Sequence, residues 1–168
     1  MDILTERGMV FQRYAEEAVA LFEAEYGSSF VVSLTDYREP VAVDAILIRR
    51  DTNVVCGVVE IKCRQISLKT LEGAFQNEWL VTMDKLTRAR DLARSLGVPL
   101  FGWLYLIDDK KMLLRRLSGA NGELLHLKRT TATTTQKTCN GGIVERVNAF
   151  IDMTGADKLE TKHESTAN

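Results

Sequence analysis

Asp44, Glu60 and Lys62 are the residues of this chain whose types and spacing best suit chemistry. They lie in two apolar runs, VAVDAILI (Val41–Ile48) and VVCGVVEIKCR (Val54–Arg64), separated by RRDTN. Both runs are rich in β-branched residues and the connector is polar, so they read as an antiparallel hairpin. A turn centred on Thr52 sets Asp44 opposite Glu60. Side chains alternate along a strand, so Glu60 and Lys62 share a face and Ile61 points away. Directly opposed Cβ atoms stand about 5 Å apart. Two carboxylates at that separation repel by roughly 3 kcal/mol at an effective dielectric of about 20. Lys62 relieves part of this. A hard divalent cation relieves more, because it takes oxygen ligands and tolerates an incomplete protein shell. A one-residue slip of the turn would send Asp44 to the other face, so the whole reading hangs on register.

The E-x-K tripeptide by itself is also the pattern of a same-face ion pair. It recurs as Glu160-Thr161-Lys162, and Asp108-Asp109-Lys110 gives D-x-K. Neither copy sits in an apolar strand that follows an Asp-bearing apolar strand.

Asp44 followed across a hairpin by Glu60-Ile61-Lys62 resembles the PD-(D/E)xK nuclease superfamily, which includes type II restriction enzymes, archaeal Holliday-junction resolvases and lambda-type exonucleases. Pro40 precedes Asp44 as PVAVD rather than adjoining it, a departure shared by many members. The resemblance spans roughly Glu6 to Leu117 in its order of elements: helix, strand, strand with Asp, strand with ExK, helix, strand. It implies a restriction-endonuclease-like core, Mg²⁺ or Mn²⁺ as cofactor and DNA as partner. Asp44, Glu60 and the Ile61 carbonyl would be the metal ligands, and Lys62 would act on the attacking water. It also implies an acid from the first helix. Glu16 takes that place, with Glu17 and Gln12 as alternatives. Glu16 points away from the Phe11/Ala18/Phe22 stripe, and Glu17 lies nearer its edge. Gln76 matches a glutamine that touches the site or substrate in several members.

Lys85 is singled out by the residues themselves. With Ala89, Leu92 and Leu96 it forms a helical stripe, so a charge sits on an apolar face. Either the ammonium snorkels to water or it faces a phosphate.

The elements that must position these groups follow from periodicity and turn residues. Thr5–Glu25 reads as a helix stopped by Gly27, and Phe30–Leu34 as a strand before the hairpin. Ser67–Gln76 is a connector or first helical turn, and Trp79–Leu96 a second long helix closed by Gly97 and Pro99. Pro99–Ile107 is a strand buried on both faces. Met112–Leu117 and, after an Asn121-Gly122 turn, Glu123–Leu127 are further strands. Thr130–Thr138 reads as a loop or edge strand, and Ile143–Met153 as a final helix. A long helix between the ExK strand and Pro99–Ile107 predicts a crossover to a parallel neighbour. The fold class is therefore α/β, a mixed central sheet flanked by helices. One nuclease-like domain over residues 1–154 is expected, with residues 155–168 a polar, disordered tail.

Composition sets outer bounds. A chain of 168 residues, 45% hydrophobic, suffices for one domain with a sizeable core. A net charge of −1 excludes a global basic signature. Contact with nucleic acid would fall to local groups among Arg64, Lys69, Arg88, Arg90, Arg94, Arg115 and Arg116, each equally an ordinary surface residue. Three cysteines without CxxC spacing argue against a zinc finger and for free thiols in a reducing compartment. His126 and His163 stand alone, and no G-x-S-x-G, P-loop or G-x-G-x-x-G occurs. The absence of a long apolar run or a leader-like N-terminus predicts a cytoplasmic protein with no membrane span. Two functions fit: a metal-dependent DNA nuclease, or a non-catalytic nucleic-acid-binding or assembly module that keeps the Asp/Glu/Lys set as an ion-pair cluster. No feature selects endo- over exonucleolytic cutting, or a homo-oligomer over a monomer.

Overall fold

Ala18, Val19, Leu21 and Phe22 recur at helical spacing, and they form the buried side of α1 (Glu6–Tyr26). The computed structural model describes residues 6–36, 41–137 and 142–161. Pro40, Cys139 and His163 lie outside them, as does the side chain of Phe11.

Strands β1 (Phe30–Leu34), β2 (Ala45–Arg49) and β3 (Val55–Arg64) follow α1. Then come α2 (Leu68–Gly73), β4 (Glu78–Thr82) and α3 (Met83–Ser95). The chain ends with β5 (Leu100–Leu106), β6 (Lys111–Ser118), β7 (Leu127–Lys137), β8 (Ile143–Asp152) and β9 (Asp157–Glu160). A six-stranded sheet has the order β1-β2-β3-β5-β6-β9, and a three-stranded sheet the order β4-β8-β7. The pair β3–β5 is parallel, as the crossover predicted, and the other neighbours are antiparallel. The expected mixed sheet with flanking helices is the one that forms.

Helix α1 covers one face of the large sheet. Phe22 stacks on Trp103 with ring centroids 4.5 Å apart, over Val59, Ile61 and Cys63. The other face is covered by α2 and α3 and also by the small sheet, through Leu71, Leu86, Trp79, Val81, Ala149 and Ile151. Even-numbered residues of β3, from Val58 to Arg64, face this second side.

Several expectations are corrected. The helix expected over Trp79–Leu96 starts only at Met83; Glu78–Thr82 is a strand, with Trp79 and Val81 buried and Leu80 exposed. The final helix expected over Ile143–Met153 is strand β8, paired with β4 on one side and β7 on the other. Asp157–Glu160, within the expected tail, pairs with β6 as an edge strand. In each case cross-strand partners remote in sequence override a helical or featureless local pattern. Of the Thr-rich segment, the described residues 130–137 fall within β7. Glu123–Leu127 forms no separate strand: Leu124 makes one bridge to Ser118, and Gly122 turns the chain at φ 81°.

Candidate active site

Residue register decides the site, and the hairpin has the expected one. Ala45 pairs with Val59, Ile46 with Val58 and Leu47 with Gly57 before a bulge displaces the turn end. The ladder stops at Ala45 and Val59, without an Asp44–Glu60 pair; beyond it the Asp44 amide donates to the Val59 carbonyl at 2.9 Å. Thr35 fixes the same point from the other side. Its amide donates to the Asp44 carbonyl at 2.9 Å, and its hydroxyl lies 2.7 Å from the Val43 carbonyl. Asp44 thus sits immediately before β2, held on both sides by backbone bonds, and its side chain reaches toward β3.

There the Asp44 carboxylate takes over the role of a strand. Its Oδ2 accepts the Ile61 amide N–H at 2.7 Å. Within a strand the N–H and C=O of one residue point to the same side, so the Ile61 carbonyl is also directed toward Asp44. Glu60, one residue earlier, lies on the face covered by α3, with only 2% of its surface exposed. Directly across the parallel ladder stands Gly102. A Cβ there would run into the Trp79 ring and Leu117, so glycine is what lets Trp79 close over the site.

Lys85 joins the two acids. Its Nζ lies 2.9 Å from Asp44 Oδ1 and 2.7 Å from Glu60 Oε1. The other Glu60 oxygen, Oε2, is buried without a hydrogen-bond partner. Burial, reinforced by the negative charge of Asp44, pushes the Glu60 carboxyl up to about 8, against the pull of Lys85. Burial alone would lower the Lys85 ammonium, but the carboxylates of Glu60 and Asp44 outweigh it and raise it. Lys62 is half-buried on the same face and has no ion pair among the described residues. Burial, with Arg64 and Lys85 nearby, draws its ammonium below the ordinary lysine range.

The sequence-derived candidates therefore divide. Asp44 bonds the Ile61 amide and meets Glu60 through Lys85, and Lys62 follows Glu60 on the same face of β3. Lys85 stands in a place its apolar stripe did not reveal: it bridges the two acids. Gln76 stands apart, in the turn between α2 and β4 at φ 51°, on the wall of a neighbouring cavity. Glu16 is exposed on α1 and accepts a bond from Gln12 at 3.1 Å. Glu17 accepts from the Tyr105 hydroxyl at 3.1 Å. Neither acid contacts Asp44 or Glu60, because α1 packs on the opposite face of the sheet. Trp79 and Gly102, which wall the site, were missed. Gly102 inside an apolar strand was the available signal, since such a glycine marks close approach.

A divalent cation fits this donor set. Glu60 Oε2 is an orphaned buried acceptor, Asp44 is adjacent, and the Ile61 carbonyl is directed to the same side. Among the described residues no group of three or more His, Cys, Asp and Glu side chains converges to hold a metal. Two carboxylates and a carbonyl suit Mg²⁺ or Mn²⁺, which keep several waters or substrate oxygens. Neither described cysteine competes as a nucleophile: burial pushes the Cys63 thiol up to about 12 and also raises Cys56.

No protein-family model matches the chain, and no curated protein matches it. Among solved structures, one similar to it is that of Hjc, a Holliday junction resolvase from the archaeal hyperthermophile Archaeoglobus fulgidus. The two align with a TM-score of 0.47 and 16% identity, over 80% of this chain and 87% of that one. Among the described residues no helix is long and apolar enough to cross a membrane.

Proposed function

We propose that the protein is a metal-dependent nuclease that hydrolyses phosphodiester bonds in DNA. One observation carries the reading: a fully buried glutamate with an unpartnered oxygen lies beside an aspartate at the start of β2. A carboxylate so placed is costly unless a cation meets it. Asp44, Glu60 and the Ile61 carbonyl would hold Mg²⁺ or Mn²⁺. The cation would supply Lewis-acid stabilisation of negative charge on a phosphoryl oxygen.

The chain's own groups do the rest. Lys62, lowered by burial, reaches its neutral form more readily than a surface lysine, so it can take the proton of an attacking water. In its charged form it orients the scissile phosphate and offsets developing charge. Lys85 sits on a flexible stem, and its ammonium can turn from the carboxylates to a phosphate oxygen. Trp79 limits water on the enclosed side.

A second reading has an observation of its own. Lys85 already pairs with both acids, so the cluster has a cation without any metal. A non-catalytic DNA-binding or assembly module would keep it as structure.

The test combines two measurements. Labelled linear, circular and branched DNA is incubated with Mg²⁺, Mn²⁺ or EDTA, and melting is followed with and without Mn²⁺. A nuclease cuts only with metal. Lys62→Ala loses at least about a hundredfold in rate and keeps the Mn²⁺ melting shift. No cutting and no shift for the wild type would select the module.

A further inference from the structure

Beyond Lys62 on the same face of β3, the next side chain is Arg64, about 7 Å away at strand spacing. It opens onto a cavity of about 480 Å³ between the two sheets. Leu104 and Trp79 form its inner wall, Phe150 and Arg129 the small-sheet side, and Phe75 its rim. Phe75 is 49% exposed, an uncovered ring at the mouth.

The two guanidiniums of this cavity differ in what they lack. Arg129 is satisfied: Nη2 donates to Glu78 Oε2 at 2.7 Å, and its guanidinium carbon lies 4.0 Å over the Phe150 ring. Arg64 is half-buried and has no carboxylate partner among the described residues; burial draws its guanidinium down, and no acid offsets that. A half-buried cation without a partner is unfavourable, and an external anion relieves it. The cavity thus asks for a ligand with a flat apolar body and an attached anion. Its volume lies in the range that holds one small organic group, and a duplex does not fit. Its position on the strand face of Glu60 and Lys62 puts that ligand next to the scissile phosphate.

We propose that this cavity takes one unstacked nucleotide of a DNA strand, with the base against Phe75 and the phosphate on Arg64. The proposal deepens the nuclease reading and rests on it for the neighbouring phosphodiester. It defines the substrate class as DNA with unpaired nucleotides, such as single strands or flaps, in preference to continuous duplex. A base held in this way must first leave its stack, which costs least where it is already unpaired.

The test is binding in EDTA, where no metal-dependent cutting occurs. Fluorescence anisotropy compares a single strand, a flapped duplex and a blunt duplex, for wild type, Phe75→Ala and Arg64→Gln. Wild type is expected to prefer the substrates with unpaired nucleotides. Each variant should lose about tenfold on those and stay within about twofold on the blunt duplex. A 2-aminopurine in the unpaired strand should be quenched by wild type and not by Phe75→Ala. Equal losses on all three substrates, or none, would overturn the proposal. Phe75 is exposed, so its variant keeps the fold and decides the matter even if Arg64→Gln does not. Selective binding without Mg²⁺-dependent cleavage would remove the nuclease reading and leave the cavity; cleavage with unselective binding would do the reverse.

Discussion

Glu60 is where burial and charge conflict most. Its folded carboxyl titrates at about 8, against an ordinary 4.5. Between those values the folded state binds more protons than the unfolded state, so stability falls as pH rises through this window and is full below it. Lys85 acts in a separate alkaline window: its raised ammonium contributes stability that is lost only as pH climbs through its folded value. Glu60→Gln should therefore flatten the decline between about pH 5 and 8, a difference of up to about 4 kcal/mol. Urea midpoints in EDTA across that range measure it. A wild-type profile as flat as the variant's would mean that Lys85 keeps Glu60 ionised throughout.

Lys85 gives a second prediction at the same scale. Removing one partner of a buried cluster leaves the others uncompensated. Lys85→Met should lose about 3 kcal/mol in EDTA and recover more of its melting temperature with Mn²⁺ than wild type gains. Calorimetry with and without Mn²⁺ reads both. Equal Mn²⁺ shifts in the two proteins would argue that the ammonium and the metal do not share the carboxylates. The sequence placed Lys85 on an apolar stripe but could not say what it met there. That depends on how α3 crosses β3, a tertiary fact with no local pattern.

At the scale of elements, what was legible was local. The hairpin register followed from β-branched runs around a polar turn, and the run reads correctly even though a bulge intervenes between Leu47 and Ile48. The boundary between β4 and α3 was not legible. Trp79, Met83, Leu86 and Ala89 keep helical spacing, so the pattern extends back through a strand. Gln76 and Asn77, at φ 51° and 57°, turn the chain into β4, and the boundary falls where the pairing of β4 with β8 ends at Thr82. Likewise Val147, Phe150 and Ile151 fit a helix, and only strands on both sides of β8 decide otherwise. Because β4 carries Trp79 over Gly102, the strand matters to the site. Gly102→Ala should cost about 1–3 kcal/mol by overpacking and displace Trp79. Near-UV circular dichroism and tryptophan emission should change together with the urea midpoint. Unchanged spectra would mean that the ring has room to spare.

At the scale of the molecule, the large sheet separates the site from its far edge. Asp44 lies at the start of β2 and Glu60 on β3, while β9 is the edge strand beyond β5 and β6. This edge was not foreseen, because the segment Gly155–Asn168 is polar and lacks periodicity. Its burial is modest but real. Ala156 is 9% exposed, Leu159 packs into the cluster beneath α1, and Lys111 pairs with Glu160 at 2.7 Å. Ending the chain at Gly155 would strip Met112 and Leu114 of their partners and leave β6 as a long apolar edge. Such a truncation should lose about 2 kcal/mol, the scale of one buried leucine with its strand pairing, and associate at high concentration. It should keep the Mn²⁺ melting shift, because two strands stand between β9 and β3. Urea denaturation and light scattering test the first part, and melting with Mn²⁺ the second. An unchanged midpoint would return Asp157–Glu160 to the unstructured tail expected from its composition. Loss of the metal shift along with stability would mean that the sheet carries strain from its far edge to the carboxylates.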